Sequence, residues 1–434
     1  MGRDSSRLKR LMLEISLNSV KYHFSLFHFK LHNFSFPISV KYFAFLSCLF
    51  LATTSVAQLS ITADFPGGNV VVDKVVADTV YFKPDLRMTA GEWFYWNFEA
   101  VSQESKKWYF KAEKKDVLTN MGAASSLNCG YSWQWINRKD DLGPNWFSFD
   151  FKSGEHVRLS MGQPYTQENF QSFIKPYAKN KNLKLSYLTT TKKGRKVEKI
   201  RIGNFDGSPS CKILITARHH ASEMMANYII EGIIETLLSD DPQITSLLKT
   251  TEFMIIPFVD KDGVEDGDQG KNRLPRDHNR DYSGKSIYKS TRAIRKLKNT
   301  WIGDSEWIAI DLHDPWIKGP GAERISFVGS ESKALADEQV KLAQILEKTV
   351  QERLKYDQKI NYLAWGDSWN TDTNNTKGSS FTTWASSFFN KGLLVSATIE
   401  FPYALIDGQP VTASSARSFG QNLIYALKDY THKH

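Results

Sequence analysis

The sequence is poor in cysteine, with three in 434 residues. Cys129 and Cys211 lie in different segments, and neither belongs to the closely spaced pairs that are typical of cysteine zinc sites. Cys211 adjoins an apolar strand pattern, so we expect two free thiols rather than a disulfide. The sequence also has no internal repeat and no low-complexity tract. A repeat architecture and a cysteine metal site are therefore not indicated.

The sequence also lacks an apolar run long enough for a comfortable transmembrane helix. The longest candidate, Phe43 to Ala52 (FAFLSCLFLA), has the length of a signal-peptide core. Ser55 to Ala57 offer small residues for cleavage directly after them. We therefore expect residues 1–57 to be an upstream extension and signal peptide. The protein would then be exported, periplasmic or secreted, after cleavage near Ala57, without stable membrane insertion.

The excess of positive charge largely disappears when the first 57 residues are set aside. They hold seven Lys/Arg and two Asp/Glu, so the net charge of the remaining chain falls from +9 to +4. This balance gives no reason to expect nucleic acid as a partner. The remaining length is sufficient for two domains with their own cores.

Two patterns divide the remaining chain near residue 164. From 58 to 164, short aromatic or β-branched runs alternate with turn residues, which is typical of an antiparallel β-sandwich. From 165 to 434, strand patterns alternate with long helical patterns, which indicates an α/β domain, a mixed sheet with helices on both faces. The strands expected in the first part are Val70–Val72, Thr79–Phe82, Trp93–Phe98, Trp108–Ala112, Trp133–Ile136, Trp146–Phe151 and His156–Ser160.

The first stretch that carries chemistry is Ala217 to Glu223, ARHHASE. It lies between an apolar strand pattern and a helical pattern, so His220 and Glu223 are expected at the carboxyl end of a buried strand, where sites in open α/β sheets form. Zinc binds imidazole nitrogen and carboxylate oxygen, and a catalytic zinc keeps a position for water beside three protein ligands. Alone, H-x-x-E is a weak signal, because a helix-start carboxylate beside a surface histidine gives the same pattern.

Two further strand ends offer the missing groups. His313 ends an apolar strand pattern, and at a common rim with His220 and Glu223 it would be the third ligand of one zinc ion. Glu400 follows directly on another apolar pattern, Leu393 to Ile399, where a carboxylate is costly without a partner or a task. Glu400 is therefore a candidate general base for a zinc-bound water.

The stretch from Asn272 to Tyr282, NRLPRDHNRDY, is rich in arginine. One interpretation is a solvated basic loop; another is a substrate clamp, because an arginine fork matches a carboxylate with two hydrogen bonds. The adjacent Asn279 and Arg280 are suited to binding a carboxylate, and Arg273 is a further substrate-binding candidate. Arg276, a few residues away, is a candidate for stabilising a developing oxyanion.

Taken in chain order, these residues resemble the zinc carboxypeptidase family, the carboxypeptidase A-like metallopeptidases. NRLPR is similar to the NRLWR-type stretch of the family, which carries its catalytic arginine, and FPGGNVVV, WFYWNF and MGQPYTQENF resemble the N-terminal sandwich of the cytosolic carboxypeptidase branch. The resemblance implies one zinc ion and a substrate that is the C-terminus of a peptide or protein. The roles it implies are zinc ligands for His220, Glu223 and His313, proton transfer to the leaving amine for Glu400, oxyanion stabilisation for Arg276, and binding of the terminal carboxylate for Asn279 and Arg280.

The chain departs from the family in the segment Thr376 to Trp384. Many relatives have a mobile tyrosine in this zone, and the segment has none. In the deglutamylating branch a basic residue stands near the position that Phe381 occupies here. We therefore expect an apolar, aromatic or small C-terminal residue in the substrate rather than glutamate.

The resulting expectation is a zinc-dependent metallocarboxypeptidase. The alternatives are an amidase or carboxypeptidase of cell-wall peptides, a zinc deacylase of N-acyl amino acids, and a non-catalytic binding protein that keeps the fold. The long β-region resembles the peptidase branch better than the deacylases. The presence of Glu400 and Arg276 argues against a protein that has lost catalysis.

Overall fold

The computed structural model describes residues 58–136, 142–205, 208–350 and 356–433. These residues belong to one compact unit. The apolar segment Phe43 to Ala52 and the cleavage site expected near Ala57 lie outside them. Within the described ranges, no helix combines the length and the apolar character needed to cross a bilayer. Cys129 and Cys211 are free thiols, as expected.

The chain begins with strands and continues, from residue 167 on, as strands that alternate with helices. The strands are β1 Leu59–Thr62, β2 Val71–Val76, β3 Thr79–Lys83, β4 Asn97–Ser102, β5 Lys106–Ala112, β6 Ala123–Ser126, β7 Gln134–Ile136, β8 Trp146–Phe151, β9 His156–Ser160, β10 Leu183–Thr190, β11 Lys196–Ile202, β12 Cys211–Ala217, β13 Thr251–Ile256, β14 Glu306–His313, β15 Ser326–Val328, β16 Tyr362–Leu363, β17 Leu393–Glu400, β18 Leu405–Ile406 and β19 Gln409–Pro410. The helices are α1 Gln167–Ile174, α2 Met225–Leu237, α3 Pro242–Thr250, α4 Lys261–Asp266, α5 Lys289–Leu297, α6 Lys333–Thr349, α7 Gln358–Asn361, α8 Asp372–Asn375, α9 Phe381–Ser386 and α10 Ala413–Thr431. Short 3₁₀ turns lie at Lys175–Tyr177 and His278–Arg280, and a π-turn lies at Lys298–Ile302.

A mixed sheet with the strand order β10-β11-β13-β12-β14-β17-β15-β16 forms the centre of the fold. Strands β13, β12, β14 and β17 run parallel, whereas β11 and β15 pair antiparallel with their neighbours in this group. Successive residues of β12 face opposite sides, so Ile213 and Ile215 join one apolar cluster and Leu214 joins the other. Because both faces are covered, the central strands are apolar along their whole length.

Helices α2 and α10 pack closely together on one face of this sheet. Their contact depends on two glycines, because a Cβ on Gly232 would lie 2.0 Å from the carbonyl oxygen of Arg417. A Cβ on Gly420 would lie 2.2 Å from the carbonyl oxygen of Ile229. On the opposite face, Ile294 of α5 and Phe381 of α9 belong to the second cluster. The expectation of a mixed sheet covered on both faces is therefore confirmed.

The first part of the chain forms two smaller sheets. The sheet β1-β4-β9-β6-β7 is antiparallel, but the sheet β2-β3-β5-β8 contains the parallel pair β3 and β5. The expectation that this region is wholly antiparallel is therefore wrong. Phe98 of the first sheet lies 5.6 Å from Phe82 and 5.8 Å from Phe110 of the second, measured between ring centroids. Aromatic side chains thus fill the space between the two sheets.

One expected strand is displaced, because β4 begins at Asn97 and not at Trp93. The backbone N–H groups of Phe94 and Tyr95 donate to the side-chain oxygen of Gln269, at 3.2 and 2.9 Å. The side-chain amide of Gln269, in a loop of the larger sheet, therefore takes the place of a neighbouring strand for Phe94 and Tyr95. The segment before β4 is held against that loop, and this brings Trp93 close to the site described next.

Candidate active site

The carboxyl ends of β12, β14 and β17 lie side by side at one edge of the central sheet. His313 pairs in register with Glu400, and Leu312 pairs with Ala217, the last residue of β12. His220 follows Ala217 by three residues. The parallel register therefore brings together residues that are up to 180 positions apart in the sequence.

His220, Glu223 and His313 form a cluster whose ligand atoms all lie within 4.8 Å of one another. The Nδ1 atom of His220 lies 2.8 Å from one carboxylate oxygen of Glu223, and the Nδ1 atom of His313 lies 2.7 Å from the other. Burial alone would raise the pKa of Glu223, but His220, Lys271 and His313 hold that pKa well below its usual value. The carboxylate is thus ionised, as a metal ligand must be.

Two further carboxylates hold the other nitrogen of each imidazole. Asp277 Oδ2 lies 3.2 Å from Nε2 of His220, and Asp311 Oδ2 lies 2.7 Å from Nε2 of His313. A carboxylate on the outer nitrogen of a histidine is the usual support for a metal ligand, because it fixes the orientation and tautomer of the ring. Two imidazole nitrogens and one carboxylate are a donor set that fits a catalytic zinc ion.

A buried network continues from Asp311 away from this cluster. His219 contacts Asp311 Oδ1 through Nδ1 at 2.8 Å and the hydroxyl of Tyr282 through Nε2 at 2.7 Å. Thr216 donates to the same carboxylate oxygen of Asp311 at 2.7 Å. His219, Asp311 and His313 are also close enough to offer a metal site. Since Asp311 already accepts from these neighbours and both His219 and Asp311 are fully buried, the network instead supports His313 from behind.

A cavity of about 580 Å³ opens over the cluster. Residues already considered that line it are His220, Lys271, Asp277, Asn279, Arg280, His313 and Glu400. Glu400 is 8% exposed, and its Oε2 atom has no hydrogen-bond partner among the described residues. Burial raises the pKa of Glu400, although Lys271 and His313 oppose the shift. An acid with an uncommitted oxygen therefore lies directly beside the cluster.

The cation closest to the cluster is Lys271, which was not among the expected site residues. Its ammonium lies 2.8 Å from Glu223 Oε1 and donates to the carbonyl oxygen of Asp314 at 3.0 Å. Burial would lower the pKa of Lys271, but Glu223 and Glu400 raise it overall, so the side chain is charged at neutral pH. The sequence carries only a faint signal for this residue, a single lysine at the start of the arginine-rich stretch.

The structure does not bring Arg273 and Arg276 to the cavity, contrary to the expectation from sequence. Arg273 binds Asp260 and Asp268, at 2.5 and 2.8 Å, and its side chain is 9% exposed. Arg276 binds the fully buried Asp281 at 2.7 Å. Each guanidinium is held by a carboxylate that lies outside the cavity, and neither arginine lines the cavity.

Asn279 and Arg280 do line the cavity. The side-chain nitrogen of Asn279 lies 3.2 Å from Nε2 of His313, and its oxygen accepts from the backbone of Phe381 at 2.9 Å. The Arg280 guanidinium donates to the backbone and side-chain oxygens of Asn374, at 3.0 and 2.9 Å. These uncharged partners orient the guanidinium without neutralising it.

Phe381 itself is fully buried and packs 5.8 Å from the ring of His219. It therefore does not form the wall that the sequence suggested. The segment around it contributes Ser380, Thr382 and Thr383 to the cavity instead. This wall is polar and uncharged, in place of the apolar surface expected.

Comparison with known proteins now places the chain. Residues 171–307 match the family described as zinc carboxypeptidase. This segment, about a third of the chain, is similar to the zinc carboxypeptidase family. The resemblance to its cytosolic branch is also confirmed: the chain is 28% identical over 287 residues to cytosolic carboxypeptidase 6 of Caenorhabditis elegans, with 59% of this chain and 62% of the relative covered. It is 25% identical over 293 residues to cytosolic carboxypeptidase 3 of Mus musculus, with 59% and 29% covered.

Solved structures described as metallo-carboxypeptidases share the fold. A metallo-carboxypeptidase from Burkholderia cenocepacia superposes with a TM-score of 0.69 at 18% identity, covering 87% of this chain and 99% of the other. A metallo-carboxypeptidase from Pseudomonas aeruginosa, in complex with (2-guanidinoethylmercapto)succinic acid, has a TM-score of 0.68 at 18% identity, with 86% and 99% covered. This likeness extends beyond the matched family segment and includes most of the first part of the chain.

The same comparisons correct the expectation of export near Ala57. Both curated relatives named above are called cytosolic carboxypeptidases, and the chain spans less than two thirds of the length of either. The secreted or periplasmic location that the apolar segment suggested is contradicted by these names.

Proposed function

We propose that this chain is a member of the zinc carboxypeptidase family and an active metallocarboxypeptidase that hydrolyses the C-terminal peptide bond of a peptide or protein. One observation carries the proposal. The uncommitted carboxyl of Glu400, the His220–Glu223–His313 cluster and the guanidinium of Arg280 all face one cavity of about 580 Å³. No feature of the cavity favours a deacylase, a cell-wall amidase or a non-catalytic protein over this assignment.

His220, Glu223 and His313 are the residues that would hold one zinc ion. Bound zinc supplies a Lewis acid that polarises a carbonyl group and lowers the pKa of a water molecule. Asp277 and Asp311 keep both Nδ1 atoms turned toward Glu223 by binding the Nε2 atoms. They are positioning residues, since they act on the substrate only through the two histidines.

Glu400 is the proposed general base. It takes a proton from the water that attacks the carbonyl carbon, and it delivers that proton to the amine nitrogen as the carbon–nitrogen bond breaks. The products are a shortened chain with a new carboxylate and a free amino acid. The raised pKa of Glu400 suits a group that must both accept and return a proton near neutral pH.

Lys271 is proposed for the role that sequence reasoning assigned to Arg276. Negative charge develops on the carbonyl oxygen as water attacks, and a fixed cation beside that oxygen stabilises the transition state more than the ground state. Lys271 lines the cavity within 2.8 Å of Glu223, whereas Arg276 is bound to Asp281. Asn279 and Arg280 are proposed to bind the terminal carboxylate of the substrate.

The polar wall of the cavity suggests a neutral C-terminal residue in the substrate. Thr382 and Thr398 line it with their hydroxyl oxygens 3.0 Å apart, and the nearby Gln339 donates to the carbonyl oxygens of Val328 and Ser396. The acidic lining residues that remain, Glu331 and Asp372, disfavour an acidic side chain in the substrate. We therefore propose neutral residues, polar ones included, in place of the apolar preference expected from Phe381.

We also propose that residues 58–164 act as a β-sandwich module and residues 165–434 as the catalytic domain. The aromatic contacts between the two small sheets support a sandwich. The names of the curated relatives favour the cytosol as the location.

The test is peptide hydrolysis by the zinc-loaded protein. Peptides with a free C-terminus should lose one residue at a time, and the same peptides with an amidated C-terminus should be cut far more slowly. Glu400→Gln should lose about 10²-fold or more in kcat and retain stoichiometric zinc, measured by metal analysis. Equal cleavage of free and amidated peptides, or undiminished turnover by Glu400→Gln, contradicts the proposal.

A further inference from the structure

Two tryptophans stand where the catalytic cavity meets a second one. Trp93 and Trp316 have ring centroids 5.1 Å apart with an interplanar angle of 53°, and Trp316 is 41% exposed. Both line the catalytic cavity, and both also line a neighbouring cavity of about 380 Å³. The two cavities therefore share this aromatic pair as a common wall.

The pair is held rigidly by residues beneath it. Trp316 packs edge-on against Phe94 at 5.2 Å, and Phe94 is fully buried against Tyr403 at 5.7 Å. The indole N–H of Trp93 donates to the carbonyl oxygen of Ala90 at 3.0 Å. A ring that contacted these faces would not have to order them first, which removes part of the entropic cost of binding.

The site residues indicate which part of a substrate would reach the pair. On one side of the cluster, His313 contacts Asn279 and then Arg280, where the terminal carboxylate is proposed to bind. On another side, the Lys271 ammonium lies 2.8 Å from Glu223 and 5.8 Å from the ring centroid of Trp93. With the carboxylate at Arg280 and the scissile carbonyl at Lys271, the residues upstream of the scissile bond lie toward Trp93.

The charged residues of the second cavity are largely matched within the protein. Lys114 pairs with Glu92, and Asp116 pairs with Lys318 at 3.0 Å. The faces of Trp93 and Trp316 are therefore the part of the shared wall that is best placed to bind a ligand. Indole faces bind planar groups by offset or edge-to-face stacking.

We propose that Trp93 and Trp316 form a subsite for an aromatic side chain carried by a residue just upstream of the scissile bond. This inference rests on the proposed function. Because Trp93 belongs to the β-rich region of residues 58–164, this region would then contribute to substrate selection. The inference also predicts that affinity depends on peptide length beyond the C-terminal residue.

Binding to the zinc-loaded Glu400→Gln variant tests the inference without turnover. Acetylated tetrapeptides with one fixed C-terminal residue carry glycine at all three upstream positions, or phenylalanine at one of them, and calorimetry gives each Kd. We expect phenylalanine at one upstream position to tighten binding roughly 2- to 10-fold. Trp316→Ala in the same background should abolish that gain, and Trp316→Phe should restore part of it.

Trp369→Ala is the matched control, because Trp369 is 46% exposed and lines the catalytic cavity but not the second one. It should weaken all peptides alike and preserve the gain from phenylalanine. A gain that survives Trp316→Ala, or that is lost equally with Trp369→Ala, overturns the subsite.

Two outcomes separate this inference from the proposed function. If the wild-type protein cuts free C-termini with no preference at any upstream position, the subsite is wrong and the peptidase assignment stands. If it cuts none of the peptides, both are wrong. A peptide bearing a saccharide that binds through Trp316 more tightly than the phenylalanine peptide overturns the assignment to an aromatic side chain.

Discussion

Residues 271–280 carry four lysine or arginine side chains, and only two of these face the catalytic cavity. Lys271 and Arg280 line it, whereas Arg273 and Arg276 do not. The difference lies in the partner of each cation. Arg273 and Arg276 are bound by carboxylates behind the loop, but Lys271 is bound by Glu223, which belongs to the metal cluster. Arg280, the other cation at the cavity, is bound by the uncharged Asn374. The charge and location of the partner, and not the type of side chain, separate cations that face the cavity from cations that hold the loop.

Among the four cations, the largest effect is expected from Lys271→Met. We expect kcat/KM to fall about 10²- to 10³-fold, because a charge aimed at the developing oxyanion is removed. A phosphonate analogue of the tetrahedral species should lose affinity by a comparable factor, while Lys271→Arg should recover part of both. The control is Lys212→Met, which removes another partly buried lysine that donates to a backbone carbonyl, far from the cavity. Full activity of Lys271→Met would show that Lys271 does not stabilise the oxyanion.

The next effect is expected from Arg280→Ala. Loss of the carboxylate clamp should raise KM about 10- to 100-fold for peptides with a free C-terminus, with a smaller change for amidated ones. Arg292→Ala is the matched control, because this guanidinium also donates to a backbone oxygen but lies outside the catalytic cavity. An identical loss for free and amidated peptides would show that Arg280 serves the structure of the loop alone.

Asp277→Asn tests whether a carboxylate behind His220 supports zinc binding. The substitution keeps the shape of the side chain but weakens its hold on Nε2 of His220, so zinc affinity should fall about 10- to 100-fold. Competition with a fluorescent chelator measures this without any substrate. Unchanged affinity in both Asp277→Asn and Asp311→Asn would remove these carboxylates from the metal site.

The smallest effect on turnover is expected from Arg273→Met. It leaves the buried carboxylate of Asp260 without its guanidinium partner, while Asp268 keeps Arg87 at 3.0 Å, so the free energy of unfolding should fall by about 3 kcal/mol, measured by urea denaturation. At a temperature where the variant is folded, its kcat/KM should fall much less than that of Lys271→Met. A larger loss of kcat/KM in Arg273→Met than in Lys271→Met would contradict the distinction between cations that face the cavity and cations that hold the loop.

Much of the site was predictable because regular strands carried it. Apolar runs marked the strands that end at His313 and Glu400, and parallel register then brings those ends to one edge. Asp311 could also have been found, because residues two apart in a strand point to the same face. Arg280 was expected at the cavity and lies there. The positions of Lys271, Arg273 and Arg276 were not predictable, because spacing does not reveal which carboxylate binds which cation.

The first part of the chain shows the same limit. Its aromatic runs predicted most of the strands, but β1, β6 and the parallel pairing of β3 with β5 were missed. Pairing partners are chosen by contacts across the whole core, and a local pattern does not contain them. Trp93 was counted as strand for the same reason, because its neighbours bind an amide 174 residues or more away.

The single amide of Gln269 has a practical consequence for anyone who wishes to shorten this protein. Its oxygen holds Phe94 and Tyr95, and its nitrogen donates to Ser222 at 2.8 Å, next to Glu223. Cutting the chain near residue 164 would remove two hydrogen-bond donors from this amide and weaken the hold on Ser222, the residue before the proposed metal ligand Glu223. A shortened catalytic fragment would therefore need new hydrogen-bond donors to the side-chain oxygen of Gln269. Only then could its zinc binding and activity be compared with those of the whole chain.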